Sequence, residues 1–176
     1  MVQEGYMMGL SNLKAQHIIR RRISEVIGEK RTEQFYRSWR ENAVTKADID
    51  AMAKWGFNSV RLPMHWKLFI EDKHGKNTSK NIVWNEEGFR RIDLLIRWLK
   101  ANDMYLILDL HAAPGGQGHD IAISDRNPNK PSLWHSDKNQ TMMIALWSEI
   151  ARRYRDEPTI AGYDLKETAL AGRGGH

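Results

Sequence analysis

The chain has 176 residues, 41% of them hydrophobic and 28% charged, which suffices for one domain with a buried core. It has no cysteine, which excludes disulfides and thiolate metal sites, and no apolar run near the ~18 residues of a membrane span, so no membrane partner is expected. The formal net charge of +5 does not call for a nucleic-acid partner, because Lys and Arg alternate with acids in helical stretches such as IIRRRISEVIGEKRTEQ.

In chain order, Ile18, Ile19, Ile23 and Ile27 fall near helical spacing over 15–27, and Gly28 fits the stop. Residues 29–42 read as a second helix with Phe35, Tyr36 and Trp39 on its apolar side. Thr45 followed by Asp48 has the form of a helix start, and Gly56 ends that helix. FNSVRLP, 57–63, is a short strand stopped by Pro63. After Trp84 and Asn85 comes a long amphipathic helix over 86–103, with Phe89, Ile92, Leu95, Ile96 and Leu99 as its buried stripe. MYLILDL, 104–110, is nearly continuous in apolar residues and reads as a strand buried on both faces. A polar loop, 111–137, leads to a helix over 138–156 and a last strand, TIAGYDL, 159–165. Strands joined by helical crossovers are parallel, so the fold class is α/β.

In such folds function gathers at the C-terminal ends of strands. The three ends carry Arg61, then Asp109 and His111, then Asp164 and Glu167. Alone, the Arg is an ion-pair partner and the His a structural donor; together they converge on one mouth. His111, His119 and Asp120 in HAAPGGQGHD lack the one-face spacing of a helix-borne metal site, so neither metal nor cofactor is expected.

GFNSVRLPMHW, YLILDLHAAPGGQ and EPTIAGYDL resemble glycoside hydrolase family 5, the cellulase, β-glucanase and β-glucosidase type of (β/α)8 barrel, from about Gly5 to Asp164. The resemblance implies a partial barrel of roughly three parallel strands, with extra N-terminal helices. Residues 1–165 would form this domain and 166–176 an irregular tail. It implies that Arg61 braces the catalytic carboxylates, and that His111 lines the cleavage subsite. His65, Trp66, Trp134 and Asp120 are expected to bind substrate. The family's fourth strand runs D-L-(I/L)-N-E, with Glu as the general acid/base. Here the string is DLKET, one residue shorter, with Lys166 near the Asn position; Glu167 aligns with the acid/base by a one-residue slip.

A complete barrel needs ~250 residues. The expected segment therefore begins after the family's first strand, ends at the fourth, and lacks the nucleophile strand. Glu71, Asp72, Asp120 and Asp125 are loop acids that could supply a second carboxylate, as could a neighbouring copy. Open strand edges make a homo-oligomer, dimer or trimer, the expectation. The substrate implied is a β-glucoside or β-glucan, with a non-catalytic carbohydrate-binding or structural fragment as the alternative. MVQEGYMMGL has no leader pattern, and location stays open, although family members are often secreted or periplasmic.

Overall fold

The computed structural model describes residues 13, 15–71, 77 and 81–165. Helices α1 (Gln16–Ile27) and α2 (Glu29–Asn42) form a hairpin about Gly28, whose φ of 80° is open to glycine at little cost. Helix α3 (Lys46–Lys54) starts with the expected box, in which Thr45 N–H donates to Asp48 Oδ2 at 2.7 Å. Then follow β1 (Ser59–His65), α4 (Glu86–Lys100), β2 (Tyr105–Ala112), the one-turn α5 (Ile121–Ser124), α6 (Asp137–Tyr154) and β3 (Ile160–Asp164). The three strands are parallel in the order β1-β2-β3.

Alternation along β2 divides the sheet. Leu106, Leu108 and Leu110 have no exposed surface and pack with Phe89, Ile92, Leu146 and Ile150 from the two long helices. Ile107, Asp109 and His111 occupy the other face, because strand side chains alternate. Asn85 caps α4, its side chain accepting from Glu87 N–H at 3.0 Å. Gly88 in the first turn lies against Leu68 and the Phe69 ring so closely that any Cβ would collide with them. Phe89 then meets Phe69 edge-on at 5.1 Å, and Trp84 at 5.9 Å. Tyr154 of α6 donates to Asp93 Oδ1 of α4 at 2.8 Å, and Trp147 meets Tyr163 of β3 edge-on at 6.0 Å.

The expected boundaries shift in two places that matter for function. Pro63 does not stop β1, which runs on to His65. β1 is an outer strand among the described residues, so a residue without an N–H need not break the ladder. β2 likewise runs past Leu110, bringing His111 into the strand rather than the loop. The N-terminal hairpin is more solvated than its periodicity suggests. Ile19, Thr32 and Tyr36 are buried, whereas Ile27 and Phe35 are exposed, since the hairpin lies outside the main core.

The packing ranks two substitutions. Leu108→Ala should lower the free energy of unfolding by about 3 kcal/mol, while Ile144→Ala, at a site 68% exposed, should change it by under about 0.5 kcal/mol. Urea denaturation of both variants checks the ordering.

Candidate active site

Asp109 is wholly buried on the non-helical face of the central strand. Its Oδ2 lies 2.9 Å from His111 Nδ1 and 3.0 Å from Arg61 Nη2. Asp109 and His111 meet because they stand two residues apart on one strand, and Arg61 reaches from the neighbouring strand. The guanidinium also donates to Asp164 Oδ2 at 3.5 Å, so it spans the mouth from β1 to β3. Burying a carboxylate costs several kcal/mol unless it is paired. Hydrogen bonds to charged groups contribute about 1.5–3 kcal/mol each, so two donors on one oxygen offset much of that cost. Asp109 Oδ1 is buried with no hydrogen-bond partner among the described residues.

The loop after β2 is tied back to the strand by Gln117, a buried residue that the sequence reading did not single out. Its Nε2 donates to His111 O at 2.6 Å, and its Oε1 accepts from Ala113 N–H at 3.1 Å. Gly115 and Gly116 turn the chain between them with φ near 76° and 79°. A Cβ on Gly116 would strike Arg126, so the turn admits no larger residue without a shift. Trp134 Nε1 donates to Gln117 O at 2.7 Å while half of the residue stays exposed.

A second cluster forms around Asp125, one of the loop acids considered as a second carboxylate, which has only 5% of its side chain exposed. Its Oδ2 accepts from His65 Nε2 at 3.1 Å and from Lys67 Nζ at 3.4 Å. Its Oδ1 accepts from His17 N–H at 2.8 Å and from His17 Nδ1 at 2.7 Å. Asp125 has a left-handed φ of 49°, which Asp tolerates better than most residues. Lys67 N–H donates to His65 Nδ1 at 3.2 Å, so both nitrogens of the buried His65 are engaged within the protein. His65 therefore braces the loop against β1. Burial raises the Asp125 carboxyl, but the His65 hydrogen bond, the Lys67 charge and the His17 N–H hold it far below the usual carboxylate range. Burial lowers the His65 imidazole below its ordinary value, against the pull of Asp125.

The other expected site residues have separate settings. Trp66 is buried, stacked beside His65 with ring centroids 6.3 Å apart, and contributes to the wall of a cleft of about 890 Å³. Asp120 is exposed and caps α5, accepting from Ala122 N–H at 2.9 Å. His119 Nδ1 is 3.3 Å from Arg126 Nη1, away from the Asp109 partner of His111. A polar cleft of about 620 Å³ opens beside the Asp125 cluster, and Asp109 is not among its walls. Glu167 and Asp72 lie outside the described residues.

Parallel strands, helices on one face and a polar cluster at the C-terminal strand ends define a segment of the (β/α)8-barrel class. A profile of the cellulase family, glycosyl hydrolase family 5, matches residues 23–166, and the chain belongs to that family. It is 33% identical to a beta-xylosidase of Phanerodontia chrysosporium over 93% of the chain and 33% of the relative. It is 29% identical to endoglucanase C of Acetivibrio thermocellus over 69% of the chain and 32% of the relative. The chain thus spans about one third of the length of these curated relatives. Among solved structures, a glycoside hydrolase aligns with a TM-score of 0.54 at 27% identity, covering 69% of this chain and 34% of that one. The rutinosidase from Aspergillus niger aligns at 0.57 and 16% identity over 72% of this chain and 34% of its own, a likeness of fold alone.

The Asp125 cluster sets a pH dependence. Because the folded His65 binds its proton less readily than an ordinary imidazole of pKa 6.5, the unfolded chain takes up the proton first as pH falls. The stability associated with neutral His65 is therefore full above about pH 6.5 and declines as pH drops toward the folded value. Asp125, held low, keeps its contribution throughout that interval. Urea melts between pH 7.5 and about 5 should show a decline that is flatter in His65→Gln, whose amide keeps a donor and an acceptor but does not titrate.

Proposed function

We propose that this chain carries the acid/base half of a retaining glycoside hydrolase site acting on β-linked glucosides or β-glucans. The observation that carries the reading is the Arg61–Asp109–His111 cluster at the strand ends of a family 5 chain. In this reading Glu167 protonates the leaving oxygen. Arg61 braces the mouth carboxylates, and His111 meets the sugar in the cleaved subsite. Trp134, half exposed and held by its N–H, offers a ring face to a sugar, and Asp120 adds a polar contact at the rim. The names of the endoglucanase and beta-xylosidase relatives support a β-linked glycan as substrate class.

Retaining chemistry needs a second carboxyl about 5–5.5 Å from the first. We assign it to another chain or segment, because Asp125 is fully engaged by His17, His65 and Lys67. Both outer strands of the described sheet lack a neighbour, so association of copies is part of the proposal. Sedimentation should give a multiple of 20.5 kDa; a well-folded monomer would remove association.

Turnover of a nitrophenyl β-glucoside tests the chemistry. Arg61→Ala should reduce it by about 100-fold or more, well beyond its effect on sugar binding. Glu167→Gln should abolish cleavage of a β-linked glucose disaccharide yet spare part of the aryl activity, whose leaving group needs little proton help. Azide should restore rate through a glycosyl azide. Sugar binding without any turnover would instead establish a carbohydrate-binding fragment.

A further inference from the structure

The two mouth side chains that the hydrolase reading uses, Arg61 and His111, share a single oxygen atom. Asp109 Oδ2 is 3.0 Å from Arg61 Nη2 and 2.9 Å from His111 Nδ1, while Oδ1 of the same wholly buried carboxylate has no partner among the described residues. We propose that Asp109 is the positioning residue of the mouth, fixing the tautomer of His111 and coupling that ring to Arg61 through one atom. The proposal rests on the hydrolase reading for its purpose, but not for its geometry.

An ionised carboxylate only accepts, so the imidazole nitrogen bonded to it carries a hydrogen. His111 is therefore held with Nδ1 protonated, and the orientation of the ring, with Nε2 on its far side, is set by the strand that carries both residues. The arrangement also holds the guanidinium to the sheet. Arg61 has 44% of its side chain exposed, and a long exposed side chain without an anchor samples many rotamers. Because both donors use Oδ2, an asparagine here can offer its one oxygen to both and place its amide nitrogen where Oδ1 lacks a partner. A leucine of similar size can offer nothing. The two substitutions thus separate the acceptor from the shape.

The test is nitrogen-15 NMR of the His111 ring in the whole chain near neutral pH. The parent and Asp109→Asn should show a proton on Nδ1. Asp109→Leu should lose that signature. Arg61→Ala should shift the His111 Nδ1 resonance, since the shared oxygen loses its other donor. A neutral ring in the parent bearing its proton on Nε2 alone overturns the proposal, whether or not any variant folds. So does an Nδ1–H form that persists in Asp109→Leu, or a His111 resonance that ignores the loss of Arg61. Absence of glycoside turnover in the parent would count against the hydrolase reading and leave the ring measurement to decide Asp109.

Discussion

Everything in this sheet depends on the register of its central strand. Leu106, Leu108 and Leu110 point one way, into helices α4 and α6, and Asp109 and His111 point the other. The side-chain period of a strand is two, so a slip by one residue would exchange the faces. It would drive an ionised carboxylate into a leucine core and turn the leucines toward the mouth. Either error costs several kcal/mol. Both neighbours take their register from this strand, Pro63 opposite Asp109 on one side and Asp164 on the other. The hydrophobic pattern of six or seven residues thereby fixes where the polar groups of all three strand ends meet.

The same alternation explains what could be read from the sequence. Long periodic helices and a continuous apolar strand are local signals, and α2 begins and ends where its pattern indicates. The Thr45–Asp48 box spans three residues and was legible as such. Pro63 misled because its meaning depends on whether a partner strand lies on its N–H side, which is a property of the sheet and not of the segment. The convergence of Arg61, Asp109 and His111 followed from strand order. The Asp125 cluster did not. His17 and Asp125 stand 108 residues apart, and nothing in SDRNPN distinguishes an acid about to be buried from one left in water. Gln117 was equally silent, since a glutamine in a glycine-rich loop has no periodicity to reveal its burial.

The N-terminal hairpin joins the rest of the domain by unusual means. Its own apolar contribution is small, with Ile19 and Tyr36 buried outside the main core. What holds α1 in place is a carboxylate from the loop before α6, gripped from the other side by His65 at the end of β1. Polar attachment of this kind is more directional than apolar packing, because each bond to Asp125 has its own angle and length. Asp125 has an αL backbone, and it turns one oxygen to the hairpin and the other to the strand.

Gln117 gives the mouth a mechanical property of its own. Its side chain grips the main chain of His111 and Ala113, and its carbonyl holds the indole of Trp134. The ring at the rim and the imidazole at the strand end are therefore two arms of one stiff arch, with a buried amide as keystone. A displacement of the indole is passed, through two hydrogen bonds, to the backbone that carries the imidazole. The position of the ring at the rim and that of the imidazole at the floor are thereby tied to one another.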